Sequence, residues 1–363
     1  MEFVQGLRGL AVLLVVGYHY QHFLTGPEYL SLGPRLFDPG AIGVDLFFVL
    51  SGFIMVYTTR AGVGGSLDPI GFVIRRLSRI VPPYFIWTLA MWAATRQLKN
   101  PAFDTNGEEW LYTLSFQPVQ PQSDAPFFGY PLLYVGWSLT FELYFYLLFF
   151  FSMLWARARW VVLYGVGIAG LVLVPLLIKG SLSLDALNHY RLPGYLNIIS
   201  SPLIWEFLAG AVIAHLYLSR FQLRDHGLAA TFASLAVGLV VWQYAADFRH
   251  GHGLTRWGGP VIILVLALAL YTKTHTLRVP GWLSWLGNVS YSMYLVHVIP
   301  TMIARHWTGP MTTGLDFVLV CLTLSLVAAY WSHRLLENEL CSRLRNYAIR
   351  LLGRGHRVTD ATS

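Results

Sequence analysis

Residues Gly6 to His19 read GLRGLAVLLVVGYH, an apolar stretch carrying two ionisable side chains, Arg8 and His19. Apart from Tyr18, everything between them is aliphatic or small, as a membrane-spanning helix requires. An α-helix turns once per 3.6 residues and rises 1.5 Å per residue, so eleven positions make about three turns. Arg8 and His19 therefore share one face and stand roughly 16 Å apart along the axis. A charge inside a span is costly and is normally turned toward a bundle interior or a watery cavity. One face of this first helix accordingly lines a path that starts near one membrane surface and runs toward the other.

The rest of the 363-residue chain has the same character. It is 55% hydrophobic and 12% charged, with a mean hydropathy of +0.53, whereas soluble domains carry about 25% charged residues. The net charge of +7 reflects basic residues collected in cytoplasmic loops, and no nucleic-acid partner is implied. Cys321 and Cys341 lack ligand spacing and read as structural. The first helix has no small-residue cleavage motif and is followed by further spans, so it reads as an uncleaved first span.

A span needs about 20 apolar residues. About ten runs qualify, near 7–24, 41–59, 82–97, 132–155, 160–178, 198–218, 228–246, 258–272, 284–304 and 315–335. The expected fold is an all-α integral membrane bundle of about ten transmembrane helices with both termini cytoplasmic. That orientation puts sixteen of the 25 Lys and Arg residues on the cytoplasmic side and eight across, with Arg8 inside the first span. Residues 1–340 form the membrane domain, and 341–363 form a basic tail drawn to anionic lipid. Between Lys99 and Gly129 lies the longest external segment, with Trp110, Phe116, Phe127 and Phe128. It reads either as a lid or acceptor platform or as an interfacial cover.

Arg8, His19, Asp45, Glu142, Glu206 and His297 interrupt the apolar runs. His19 and Asp45 fall at matching depth in antiparallel spans, so Asp45 can hold the His19 ring and fix its tautomer. Glu142 enters from the same side, and a histidine beside a carboxylate is what a general base requires. At the other face, RRLSRIVPPYF (Arg75–Phe85) sets Arg76 and Arg79 on one helix face with Arg75 beside them. Pro82 and Pro83 are expected to break or start a helix there. Guanidinium forks suit phosphates, and with Arg8 these residues can hold a nucleotide-like donor. Small residues in GVDLFFVLSGF (Gly43, Ser51, Gly52) permit close helix packing. His189, His250, His252, His275 and His306 lack ligand spacing, and no metal site is expected. Buried charges of this kind also suit a transporter or flippase for a small solute or lipid-linked sugar, although no inverted repeat is evident. A structural subunit of an export complex is the third reading.

Five stretches, QGLRGLAVLLVVGYH, GVDLFFVLSGFIM, RRLSRIVPPYF, WSLTFELYFYLL and LGNVSYSMYLVHV, occur in an order that resembles the membrane acyltransferase-3 family over nearly the whole chain. Within it, SPLIWEFLAGAVIAHLY (Ser201–Tyr217) is most similar to bacterial exopolysaccharide-production acetyltransferases. The resemblance implies a bacterial inner-membrane enzyme moving an acyl group, usually acetyl from cytoplasmic acetyl-CoA, to a hydroxyl of an envelope or exported glycan or a lipid-linked sugar. Polysaccharide biosynthesis or export machinery is the implied partner. Arg8 and His19 match the family's Arg-x10-His pair, Arg76 and Arg79 its Arg-x-x-Arg motif, and Glu142 the acidic position of WSL-x-x-E. Leu143 stands where many members carry a second acidic residue.

Overall fold

The computed structural model describes residues 1–24, 32–60, 68–97, 107–188, 190–309 and 312–352. The first part of the external segment, residue His189 and the tail beyond residue 352 lie outside them. The described residues form helices and no strands: α1 (Glu2–Tyr20), α2 (Leu32–Phe37), α3 (Ile42–Thr58), α4 (Pro69–Gln97), α5 (Gly107–Leu114), α6 (Trp137–Leu154), α7 (Arg159–Lys179) and α8 (Leu196–Ile199). There follow α9 (Ile204–Leu218), α10 (His226–Ala246), α11 (Gly259–Thr272), α12 (Gly281–Asn288), α13 (Ser290–Val296), α14 (Val298–Thr308), α15 (Leu315–Ser332) and α16 (Cys341–Leu351).

Seven stretches are long and apolar enough to cross a membrane: Glu2–Phe23, Leu32–Thr58, Tyr134–Leu154, Arg159–Lys179, His226–Ala246, Leu254–Thr272 and Leu315–Leu351. The chain is thus an all-helical, multi-pass membrane protein. The other three expected runs are built differently. Residues 82–97 are the second half of the 29-residue α4, 198–218 divide into α8 and the short α9, and 284–304 divide among α12, α13 and α14.

Burial separates the centre from the lipid-facing rim. The window in Leu32–Thr58 is 78% buried, against 17% in His226–Ala246, so α3 is the hub and α10 the periphery. In lipid, helices associate by close packing rather than by escape from water, and α3 is built for contact. A Cβ on Gly52 would come within 2.0 Å of the Phe207 carbonyl oxygen of α9, and one on Gly210 within 1.9 Å of the Val49 oxygen of α3. Gly43 likewise meets the Ala11 carbonyl of α1. Ser51, expected to serve packing, instead donates a hydrogen bond to Glu142.

Pro82 and Pro83 do not end a helix, as expected from the sequence; α4 runs through them. Prolines at these positions remove two N–H donors, leaving the carbonyls of Ser78 and Arg79 without their helical partners. Cys341 Sγ faces the Arg79 oxygen at 3.9 Å, and Tyr291 donates to the neighbouring Ile80 oxygen at 2.7 Å. Side chains from α16 and α13 thus cover the weak turn. The first part of the basic tail is helical and packed on α4.

The described part of the segment between Lys99 and Gly129 packs against α4 and α6. Trp110 meets Trp92 edge-on, Phe116 lies against Tyr84 and Phe85, and Phe127 packs edge-on against Trp137.

Candidate functional site

A cavity of about 370 Å³ opens between α1, α3, α4, α6 and α13, within the usual size range of small-molecule sites. Arg8, Arg76, Arg79 and Glu142 all line it, so four of the nine ionisable residues singled out by the sequence converge. Lining residues on α3 run from Thr58 back to Val44, a length of about 21 Å at 1.5 Å per residue. The cavity is therefore elongated and parallel to the helices.

Each cation is held in place. Arg8 donates to Ser290 Oγ at 2.8 Å and to Gln5 Oε1 at 3.3 Å. Arg76 donates to Thr58 Oγ1 at 3.0 Å. Arg79 Nε lies 4.0 Å from Glu337 Oε2, and Glu337 in turn accepts from Ser292 and faces His333 Nδ1 at 3.3 Å. Glu337, which the sequence reading did not single out, is an anchor for the arginine cluster. Arg75 does not join the cluster: it lines no part of the cavity and lies 3.7 Å from Asp68. Adjacent residues on a helix are turned about 100° apart, so Arg75 points away from the cavity that Arg76 lines.

Glu142 sits among the arginines and does not touch His19. Ser51 Oγ donates to both its oxygens, at 3.0 and 2.8 Å. Asp45 also goes elsewhere. Its carboxylate accepts from the Gly253 N–H at 2.9 Å and from His252 Nδ1 at 2.7 Å. Asp45 shares the α9-facing ridge of α3 with Val49 and Gly52, whereas Val44, Phe48 and Ser51 face the cavity. Matching depth did not bring matching azimuth, because each residue turns a helix by about 100°.

The partner of His19 is His297. His19 Nδ1 lies 2.9 Å from the Val15 carbonyl oxygen and 3.1 Å from His297 Nε2. His297 Nδ1 lies 3.1 Å from the Met293 carbonyl oxygen. A carbonyl can only accept, so Nδ1 carries the proton in both rings, as assigned from these partners. His297 Nε2 then offers its lone pair to the His19 Nδ1–H, and His19 Nε2 is left with a lone pair and no partner among the described residues. His297 is fully buried, and its backbone oxygen accepts from Tyr20 at 2.7 Å. His297 thus has the orienting role that the sequence reading gave to Asp45.

Arg8 bonds Ser290 and His19 bonds His297, so the shared face of α1 lies along the α12–α13 segment. Tyr294 connects the two ends. It lines the cavity, bonds Ser138 Oγ at 2.8 Å, and places its ring 6.1 Å from that of His297. Tyr134 packs 5.5 Å from His19 on the other side. The arginine-lined cavity and the His19–His297 pair are thus neighbours through Tyr294, which lines the first and packs beside the second. No cluster of His, Cys, Asp or Glu that could hold a metal occurs among the described residues.

A family model described as an acyltransferase domain matches residues 1–334. Exopolysaccharide production protein ExoZ of Rhizobium meliloti (strain 1021) is 29% identical over 330 residues, covering 89% of this chain and 93% of the relative. BcsY of Komagataeibacter xylinus is 28% identical over 370 residues, covering 96% of this chain and 87% of the relative. Acyltransferase MdmB of Streptomyces mycarofaciens is 26% identical over 390 residues, with 98% and 93% covered. No solved structure gives a significant match. Matched from residue 1 to residue 334 and built as a membrane bundle, the chain belongs to the acyltransferase-3 family and is an acyltransferase.

Proposed function

We propose that the protein moves an acyl group, acetyl foremost, from cytoplasmic acyl-CoA to a hydroxyl of an envelope or exported glycan, in a bacterial inner membrane. The convergence of Arg8, Arg76 and Arg79 on one cavity, also lined by Tyr294 whose ring lies 6.1 Å from that of His297, supports this reading. The glycan assignment draws on the similarity to an exopolysaccharide production protein.

In this mechanism the arginines hold the phosphates of CoA through charge-assisted hydrogen bonds. Its pantetheine arm, about 15–20 Å when extended at ordinary bond lengths, lies along the cavity and delivers the thioester toward His19. The acceptor oxygen attacks the thioester carbonyl carbon while His19 Nε2 takes the hydroxyl proton. The carbon–sulfur bond breaks, and the proton passes to the departing thiolate. Attack by Nε2 itself, giving an acyl-histidine, uses the same geometry. Glu142 lies with the donor-binding arginines and balances their charge. In this reading α4, α8–α9 and α12–α14 complete ten crossings, residues 1–340 form the catalytic domain, and 341–363 form a cytoplasmic tail against anionic lipid.

The test is acyl-CoA turnover by purified, reconstituted protein. Wild type should release CoA from acetyl-CoA, and His19→Ala should lower that rate by about 10³-fold while inserting normally, a loss typical of a missing general base. Equal rates would remove His19 from the reaction. Failure of acyl-CoA to bind wild type would favour the transporter instead.

A further inference from the structure

We propose that the buried Asp45–His252 pair and the aromatic rings beside it form a sugar-binding subsite, at the end of the bundle away from the arginine cluster. The link from this subsite to acyl transfer rests on the function proposed above; sugar binding itself does not.

His252 lies in the segment joining α10 to α11. The buried Glu206 carboxyl lies against Asp45, so the two share a proton. With it on Glu206, Asp45 accepts, His252 Nδ1 is the donor in their 2.7 Å bond, and Nε2 of the neutral ring carries a lone pair. His252 is only 5% exposed, and its Nε2 has no partner among the described residues. It differs from Trp257 Nε1, which is both unpartnered and sealed from solvent. The result is a fixed hydrogen-bond acceptor that still reaches the surface.

Considerable structure keeps it there. Asp247 and Arg249 adopt φ of 47° and 53°, conformations that cost non-glycine residues about 1 kcal/mol or more each. Gly253, at φ 106°, allows its N–H to reach Asp45. Gln243 donates to the carbonyls of Phe248 and Arg256. Arg256 donates to the His250 carbonyl and forms a two-pronged pair with Asp185, at 3.0 and 2.9 Å. The only inward-turned guanidinium of the segment is therefore occupied, and a neutral ligand suits the site better than an anion.

Trp137 and Phe127 flank the imidazole, with ring centroids 5.6 and 6.1 Å away. Phe127 stacks on Tyr130 at 5.2 Å, and Tyr130 is 53% exposed. Aromatic faces thus lead from the surface to a lone acceptor. A pyranose has apolar C–H faces and a rim of hydroxyl donors, which matches that pairing of surfaces. Position matches too: Trp137 faces His252, and Tyr134, three residues earlier in the same turn, faces His19. The two sites thus meet at neighbouring residues of one segment, Tyr134 and Trp137, and a bound glycan held at Trp137 extends toward Tyr134.

The experiment is equilibrium binding of glucose, galactose and cellotetraose to the purified full chain without acyl donor, read by tryptophan fluorescence. His252→Asn keeps an amide donor for Asp45 but has no counterpart of Nε2. Wild type should bind at least one of the three, and His252→Asn should bind it about tenfold more weakly with an unchanged melting temperature, the value of one lost hydrogen bond. Tyr130→Ala, at a half-exposed position, should also weaken binding and serves if the Asn variant does not fold. Equal affinity in wild type and variant, or no saturable binding by wild type, would overturn the proposal. Sugar binding lost in His252→Asn alongside a protein inert to acyl-CoA would keep the subsite and discard the acyl-transfer reading.

Discussion

His297 is the residue whose chemistry is most sharply defined, because every partner constrains a proton. Met293 fixes its Nδ1–H, and that leaves Nε2 as the only acceptor available to the His19 Nδ1–H besides Val15. In catalytic triads a carboxylate does this work, and misplacing the tautomer costs about 10⁴ in turnover. A neutral imidazole offers no charge to stabilise an imidazolium, so its contribution is orientation. His297→Leu should lower kcat by about 10²-fold with KM for acyl-CoA unchanged. His297→Gln puts an amide oxygen near the position of Nε2 and should recover most of that loss. Steady-state kinetics on the two variants separate orientation from packing, since a merely structural role would leave Gln no better than Leu.

At the level of elements, the crossing of α3 and α9 sets the site, because α3 carries the cavity face and the α9 face on one helix. Gly52 and Gly210 let the backbones touch. Gly52→Val would drive methyl groups into the Phe207 carbonyl, which no rotamer avoids, and overpacking of this kind costs about 1–3 kcal/mol. The melting temperature in detergent should fall by about 2–8 °C, and an unchanged value would mean that the crossing yields easily. The same helix shows what was legible in the sequence. Arg8, Arg76 and Arg79 were readable as a group because they lie at one membrane face, whereas Glu142 was assigned to the His19 end and is found among the arginines. Depth along a span can be counted in residues, so His19 and Asp45 were placed at similar levels. Azimuth depends on which neighbours a helix meets, and Asp45 faces α9 rather than α1. His252 was unreadable as a partner because 207 residues separate it from Asp45 and its segment is neither apolar nor helical. His297 stood out as ionisable, yet only packing of α13 against α1 reveals its pairing.

Across the whole molecule, the two ends of the bundle have different chemistry. Met1 lines the arginine cavity, and Glu337 and Cys341 both meet Arg79, so the start of the chain and the beginning of its last helix gather at the cationic end. His19, His252 and the segment bearing Phe127 and Tyr130 gather at the other. A donor admitted at the first end and an acceptor at the second would exchange an acyl group without either crossing the membrane, provided the two ends face opposite compartments. Single-cysteine labelling decides this. Native Cys321 and Cys341 are buried, at 0% and 4% exposure, so they contribute little background. Asn346→Cys marks the cationic end and Asp124→Cys the aromatic end, and both positions are exposed. In intact spheroplasts a membrane-impermeant maleimide should label Asp124→Cys at least tenfold faster than Asn346→Cys, and inverted vesicles should reverse the order. The basic residues, twice as many on the proposed cytoplasmic side, favour this orientation. Labelling of both positions from one side would mean that the cavity does not span the bilayer, and donor and acceptor would then have to meet in one compartment.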